Sequence, residues 1–267
     1  MKMFRYLKIV IRKLIPSGMQ VPLKYWYSSL RGYSEPEMSL LKYLVKSETM
    51  AIDIGGNRGI YSYHISKFCR NIEIFEPNPV CFKILRAWSS KKSAINVHDV
   101  ALSHEAGSAE LLIPIDKNGV EHDSSGSIEN NNFSKTRSET VPLKSLDSYA
   151  FKLVDFIKID VEGHEFSLLK GSVQTIEASK PAMLIEIEQR HNKVPIGEIF
   201  SYIENLGYNS YYLDEGALHD ASHFDLSLLQ AEANLTTSNK YINNFLFLHR
   251  ARLNAGEYKA FPGMNLK

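Results

Sequence analysis

The chain has 267 residues, of which 44% are hydrophobic, 11% aromatic and 23% charged, with 31 Lys and Arg against 30 Asp and Glu. This length supplies a sizeable core for one large domain, and the composition excludes a disordered chain, a collagen-like repeat and a disulfide scaffold. The formal charge of +1 hides an asymmetry: residues 1–33 hold seven of the cations and no acid, leaving 24 cations against 30 acids in the remainder.

In that basic leader Phe4, Leu7, Ile11 and Leu14 recur at helical spacing, while Arg5, Lys8 and Arg12 mark another face. This is the pattern of a basic amphipathic helix. Residues 1–33 therefore either pack on the domain or a second subunit, or rest through residues 1–20 on an anionic membrane surface. Tyr25, Trp26, Tyr27 and Tyr33 either dock the leader or cover a pocket. No apolar run reaches the roughly 20 residues that span a bilayer. Lys8, Arg12 and Lys13 interrupt the apolar stretch a signal peptide needs, and two cysteines, Cys69 and Cys81, are too few to staple an extracellular fold. The cytoplasm is the expected location, at the inner membrane face if the leader binds lipid.

From residue 50 onward short apolar runs alternate with helical stretches, which predicts a single wound α/β domain over residues 34–267. The expected strands cover residues 50–54, 72–75, 95–102, 156–160, 183–188, 208–213 and 244–249, with 109–113 pairing nearby. Helices are expected over 60–69, around Phe82, Leu85 and Trp88, over 164–170 with Gly171 as a left-handed cap, and over 196–206. The result is a Rossmann-like sheet of seven strands, mainly parallel, with the last two antiparallel and helices on both faces. Residues 114–140, rich in Asp, Ser, Asn and Gly, form a polar insertion that is either a lid or a surface excursion.

Ligands of a wound parallel sheet bind beyond the carboxyl ends of the strands. The first strand delivers Asp53 and the turn Gly55-Gly56-Asn57-Arg58-Gly59 to that edge, and Glu76 ends the second. Glycines let backbone approach a ligand, and an acid in Glu76's place accepts both hydroxyls of a ribose. The dinucleotide fingerprint fails, because Ile54 stands where its first glycine belongs, and the P-loop is absent. The carboxylate before the turn suits an ammonium or sulfonium better than a pyrophosphate.

The segment from Asp53 to Gly59, Phe75-Glu76-Pro77, Leu146-Asp147-Ser148, the block from Phe156 through Asp160, Glu162, Gly163 and His164 to Glu165, and Leu168-Leu169-Lys170-Gly171 resemble the FkbM-type family of S-adenosylmethionine-dependent methyltransferases. Gly56 departs from that pattern, where relatives commonly carry alanine. The resemblance implies the class I methyltransferase fold and methylation of a hydroxyl on a carbohydrate, glycan or secondary metabolite. It implies S-adenosylmethionine bound by Asp53, Gly55, Asn57 and Gly59, with Glu76 on the ribose, Asp99 and Val100 beside the adenine, and Asp160 closing the site.

An alcohol is a poor nucleophile near neutral pH, so a base or a metal is needed. His164 is the candidate base, with Asp160 and Glu162 beside it. Alternatively Asp160, Glu162, Glu186 and Glu188 hold a divalent cation such as Mg2+ on the acceptor oxygen. In the plainer reading Glu162 and Glu165 start a helix, Lys158 or Arg190 pairs with Glu186 or Glu188, and His191 is a surface histidine. The acidic body argues against a nucleic-acid acceptor. A nucleotide-dependent oxidoreductase on a similar sheet and a membrane-docked, non-catalytic binding module are the alternatives.

Overall fold

A computed structural model describes residues 15–116, 119, 121, 126–129, 135–237, 240–258 and 261. The chain enters through helix α1 (Ser17–Leu30) and the short α2 (Leu41–Leu44). It then alternates β1 (Met50–Ile54), α3 (Ile60–Ile65), β2 (Asn71–Phe75), α4 (Pro79–Ser89) and β3 (Ile95–His98). A small arm follows: β4 (Ala101–Leu102), β5 (Gly107–Pro114) and β6 (Thr136–Lys144). The wound pattern resumes with β7 (Val154–Ile159), α5 (Glu165–Lys170), α6 (Val173–Ser179), β8 (Ala182–Glu186) and α7 (Ile196–Asn205). It closes with β9 (Tyr208–Asp214), β10 (Ala217–Asp220), α8 (Leu226–Leu229), β11 (Asn244–His249) and α9 (Arg250–Asn254).

The main sheet has the order β10-β9-β11-β8-β7-β1-β2-β3. Strands β3, β2, β1, β7 and β8 are parallel, and β11 runs antiparallel to both its neighbours, β8 and β9. Because successive side chains point to opposite faces, each strand feeds two cores. Ala51, Ile72, Ile74, Phe156 and Leu184 pack under α1 to α4, while Ile52, Ile54, Ile157, Ile159 and Ile185 pack under α5 to α7. The same alternation sends Asp53 of β1 and Lys158 of β7, register partners across the pair, toward the α1 side.

Several expectations are corrected. The sheet has eight strands rather than seven, because β10 folds back on β9 through a tight turn in which Glu215 and Gly216 both have positive φ. The apolar run 95–102 is two strands: β3 stays in the main sheet, whereas β4 pairs with β6 in the three-stranded arm. β5 and β6 form a long hairpin, so much of the polar insertion is its connecting segment. Gly171 has φ −87°, so it is not a left-handed cap. It is glycine for a different reason: a Cβ there would lie 2.1 Å from the Ser103 carbonyl oxygen.

Helix α1 lies against α3 and α4. Val21 and Tyr25 are buried, and Tyr25 Oη is 2.8 Å from His64 Nδ1. Gly59, with φ +77°, permits this approach, since a Cβ would meet Val21 Cγ1 at 2.8 Å. The amphipathic spacing of Phe4, Leu7, Ile11 and Leu14 lies outside the described residues.

Candidate active site

The glycine turn brings three strand ends together. Gly55 and Gly56 donate their amides to the Phe75 carbonyl at the end of β2, and the Asp160 amide donates to the Ile54 carbonyl at the end of β1. Gly55 has φ +81°, and a Cβ on it would sit 1.8 Å from the Asp160 carbonyl oxygen, so only glycine fits between these edges. Asn57 follows at φ +49° and turns its amide onto Glu76 Oε2 at 2.6 Å, while the Asn78 amide binds Glu76 Oε1 at 2.7 Å. Glu76 is thus buried and fixed with lone pairs to spare. Burial pushes its pKa up to about 7, against the opposing effect of those amides.

Glu76 lines an elongated cavity whose walls include Asn78, Val100, Leu102, Ser127, Ile128 and His164. Its lining joins apolar side chains, Val100, Leu102, Leu111 and Ile128 among them, to the carboxylate of Glu76. Val100 is in this lining; Asp99, expected beside it, is exposed and does not line the cavity. The roof comes from the hairpin connection: Ser127 exchanges backbone hydrogen bonds with Leu112 and donates its hydroxyl to the Glu162 carbonyl at 2.9 Å.

A second, more polar cavity shares Gly55, Asn57 and Asp160 with the first. Asp53, Glu35, Lys158 and Asp160 line it together with Lys24 of α1, Tyr33 just after α1 and Arg58 of the glycine turn. Asp53 is fully sequestered, accepts a hydrogen bond from Ser62 Oγ, and is pushed up to about 6 by burial. Buried Lys158 donates to Asn244 Oδ1 at 3.1 Å and to the Ile159 carbonyl at 3.2 Å. Burial pulls its pKa down, but Asp160, Glu186, Glu35 and Asp53 outweigh this and hold it above the ordinary lysine value. Asp160 and Glu186 are both raised, by burial first, against the opposing charge of Lys158. Lys24 is pulled down by desolvation and makes no ion pair with a described carboxylate.

His164 lines the first cavity with both ring nitrogens engaged, Nδ1 to Glu129 Oε1 at 2.8 Å and Nε2 to Ser103 Oγ at 2.9 Å. Glu129, which also pairs with Lys193 at 2.6 Å, is held down at about 2, chiefly by His164. Glu162, at φ +52°, reaches His191 Nδ1 at 3.0 Å, so His191 is half-buried and paired. Glu165 is a structural staple, accepting from the Gly163 amide at 2.9 Å and from Asn192 Nδ2 at 3.0 Å.

The four acids weighed as metal ligands do not converge. Glu188 is taken by Arg190, at 2.5 and 3.0 Å, and by Tyr241 at 2.5 Å; Glu186 accepts from Asn243 Nδ2 at 2.7 Å. Among the described residues no three His, Cys, Asp or Glu side chains form a group that would hold a metal ion. The Arg190–Glu188 pair is the plainer of the expected arrangements.

The model of the FkbM methyltransferase domain matches residues 53–210, more than half of the chain. The chain belongs to the FkbM methyltransferase family. No curated protein matches it. Solved structures similar to it include an FkbM methyltransferase from Methylobacillus flagellatus KT, at 16% identity and TM-score 0.48, covering 74% of this chain. This chain spans only 43% of the length of that relative. A methyltransferase from Streptococcus mutans in complex with SAH aligns at 7% identity and TM-score 0.46, over 81% of this chain and 98% of its own. An rRNA methylase from Streptococcus thermophilus aligns at 9% identity and TM-score 0.44, over 81% and 97%.

This FkbM-family chain brings together Asp53, Gly55, Asn57, Glu76 and Asp160, with Gly59 just behind them supporting α1. The sequence reading missed Lys24 and Glu35, which reach the site from before β1, and Asn244, which reaches Lys158 from β11. It also missed Glu129 and Ser103, the partners of His164. One usable signal was present: Lys158 is the lone charge in the otherwise apolar run Phe156–Ile159, and a buried lysine demands anionic neighbours.

Proposed function

We propose that the protein transfers a methyl group from S-adenosylmethionine to a hydroxyl of a carbohydrate, glycan or secondary metabolite. The carrying observation is the pair of joined cavities at the ends of β1, β2 and β7. One joins apolar side chains to the carboxylate of Glu76; the other is lined by both acids and the cations Lys24 and Arg58, the charges that an amino acid's ammonium and carboxylate require. The donor set fits this cofactor at both ends.

The bound cofactor supplies a methyl carbon already activated by its sulfonium. The chain does the rest. Glu76 takes the ribose hydroxyls, Val100 and Leu102 flank the base, and Asp53, Asp160 and Glu35 compensate positive charge. Roofing by Ser127 and Ile128 excludes water and holds the alignment, from which much of the rate derives. The proton of the acceptor hydroxyl is assigned to His164. A carboxylate only accepts, so Glu129 fixes the Nδ1–H tautomer and leaves the lone pair on Nε2, where Ser103 Oγ now lies. His164→Ala lowers turnover by roughly 10²–10⁴ and leaves S-adenosylhomocysteine affinity within a few-fold. Unchanged turnover would move the role to Asp160 or Glu162.

The test of the whole reading is a thermal melt with S-adenosylhomocysteine or NAD, followed by incubation with methyl-labelled S-adenosylmethionine and a panel of sugars and a cell extract. Stabilisation by S-adenosylhomocysteine alone, and label recovered as a base-stable ether, are expected. Absence of stabilisation at millimolar ligand would favour a non-catalytic module; label in a base-labile ester or an amine would remove the hydroxyl acceptor.

A further inference from the structure

We propose that the outward face of α1 is a docking surface for an anionic lipid bilayer. Val21, Tyr25 and Ser28 are the buried positions of this helix, and they define its inner face. On the outer side Met19, Leu23, Trp26, Tyr27 and Leu30 recur at spacings of three and four, and Tyr33 follows in the exit turn. These six account for most of the ten large hydrophobic side chains left exposed among the described residues; Leu30 is 85%, Met19 53% and Trp26 52% exposed. Scattered single exposed apolar residues need no explanation, but a contiguous stripe on one helix marks a contact site.

Charge selects the occupant. The stripe is flanked by Lys24 and Arg31, with Arg31 lying 5.5 Å from the Tyr27 ring centre and Lys67 5.0 Å from that of Trp26. No acid precedes Glu35, and the first two acids of the chain turn inward: Glu35 accepts from Tyr61 and Asn244, and Glu37 is buried. In the sequence, residues 1–33 hold seven cations and no acid, and the remainder has six more acids than cations. An anionic surface therefore attracts the stripe through its described flanking cations Lys24, Arg31 and Lys67. Trp and Tyr beside Lys and Arg are the side chains that settle at the level of lipid headgroups. No described helix is long and apolar enough to cross a membrane, so the contact is one of lying on the surface. It would bring the mouth of the polar cavity, which α1 lines through Lys24, toward the bilayer.

The experiment is co-sedimentation of the full chain with phosphatidylcholine vesicles, with and without a third of phosphatidylglycerol. Binding is expected only to the anionic vesicles and falls as salt is raised to about 0.5 M. Trp88 is buried, so a blue shift of tryptophan emission on binding reports Trp26. The double variant Met19→Ser/Leu30→Ser, whose side chains lie outside both cores, keeps its melting temperature and loses roughly tenfold or more in vesicle binding. Equal binding to neutral and anionic vesicles, or full binding by the variant, would overturn the proposal. So would a dimer in sedimentation equilibrium that the variant dissolves, which would make a second copy of the chain the occupant.

Discussion

Burial has taken much of the charge from two carboxylates that a cationic cofactor would restore. Asp53 stands at about 6 and Glu76 at about 7, both above their ordinary values of 3.8 and 4.5. A pKa raised in the folded state stabilises the ligand-free protein fully at pH below the unfolded value, and that contribution disappears as pH rises through about 6 and then 7. Ligand binding has the opposite sign, since the sulfonium, the ammonium and the ribose hydroxyls all favour the ionised acids. Affinity for S-adenosylmethionine should therefore rise with pH between about 5 and 8, by up to roughly tenfold per unit below the folded pKa values. Calorimetry in two buffers of different ionisation enthalpy should show proton release; affinity that is flat across this range would remove the linkage. Lys24 gives a sharper residue-level prediction. Lys24→Met should weaken S-adenosylhomocysteine by roughly 10-fold or more and leave 5′-methylthioadenosine, which has no carboxylate, unchanged. Equal losses for both ligands would mean that Lys24 supports the pocket without meeting the carboxylate. The places of Asp53 and Glu76 were legible in the sequence because they stand one residue before and one residue after the carboxyl ends of apolar runs, where this architecture opens its ligand edge. Lys24 was not legible, since its place depends on how α1 packs across Gly59, a contact between segments some 35 residues apart.

Among the elements, the β1 turn is the most constrained. A methyl on Gly55 would overlap the Asp160 carbonyl oxygen, on a backbone with φ +81°, so relief requires β1 and β7 to separate at their ligand-binding ends. Gly55→Ala should cost about 2–4 kcal/mol and abolish detectable S-adenosylhomocysteine binding. Gly107→Ala, where a Cβ meets nothing within 4 Å, serves as a control and should shift stability by less than about 0.5 kcal/mol. Melting curves with and without ligand decide both. The wound strands were readable because burial on both faces makes them near-continuous apolar runs. The arm was not. Burial alternates along β6, but two of its inner positions are the charged Arg137 and Glu139 beside Val141 and Leu143, so the hydropathy shows almost no alternation to read, and the register is set by pairing with β5 over eight residues. The break after β3 is equally silent, because Val97, Val100 and Leu102 are all buried, in different cores. The candidate base depends on that break: Ser103, which engages His164, directly follows β4.

Across the whole molecule, the reacting end is assembled from distant parts of the chain and held from below by its last helix. Asn244 on β11 accepts from Lys158 on β7 and donates to Glu35 ahead of β1. Immediately after β11, Arg252 on α9 donates to Asp155 Oδ1 at 2.6 Å and to the carbonyls of Asp155 and Lys180, and it pairs with Glu257 at 2.9 Å. Arg252 and Asp155 are both buried, so this clamp fixes the foot of β7, whose other end carries Asp160. Removing one partner of a buried ion pair leaves an uncompensated charge, whereas replacing both with apolar side chains removes the desolvation cost as well. Lys46, half-exposed at 3.5 Å from Asp155 Oδ1, compensates that carboxylate only in part, so Arg252→Met should destabilise by about 3 kcal/mol, and the double variant Arg252→Met/Asp155→Leu should recover part of that loss. For a chain of this size each kcal/mol moves the melting temperature by roughly 2–4 °C, so a fall of about 10 °C is expected for the single variant. Raising salt to about 1 M should change the wild-type value little, since buried pairs are poorly screened. A single variant that melts within about 3 °C of wild type would show that the clamp is redundant and that the foot of β7 is held by the sheet alone.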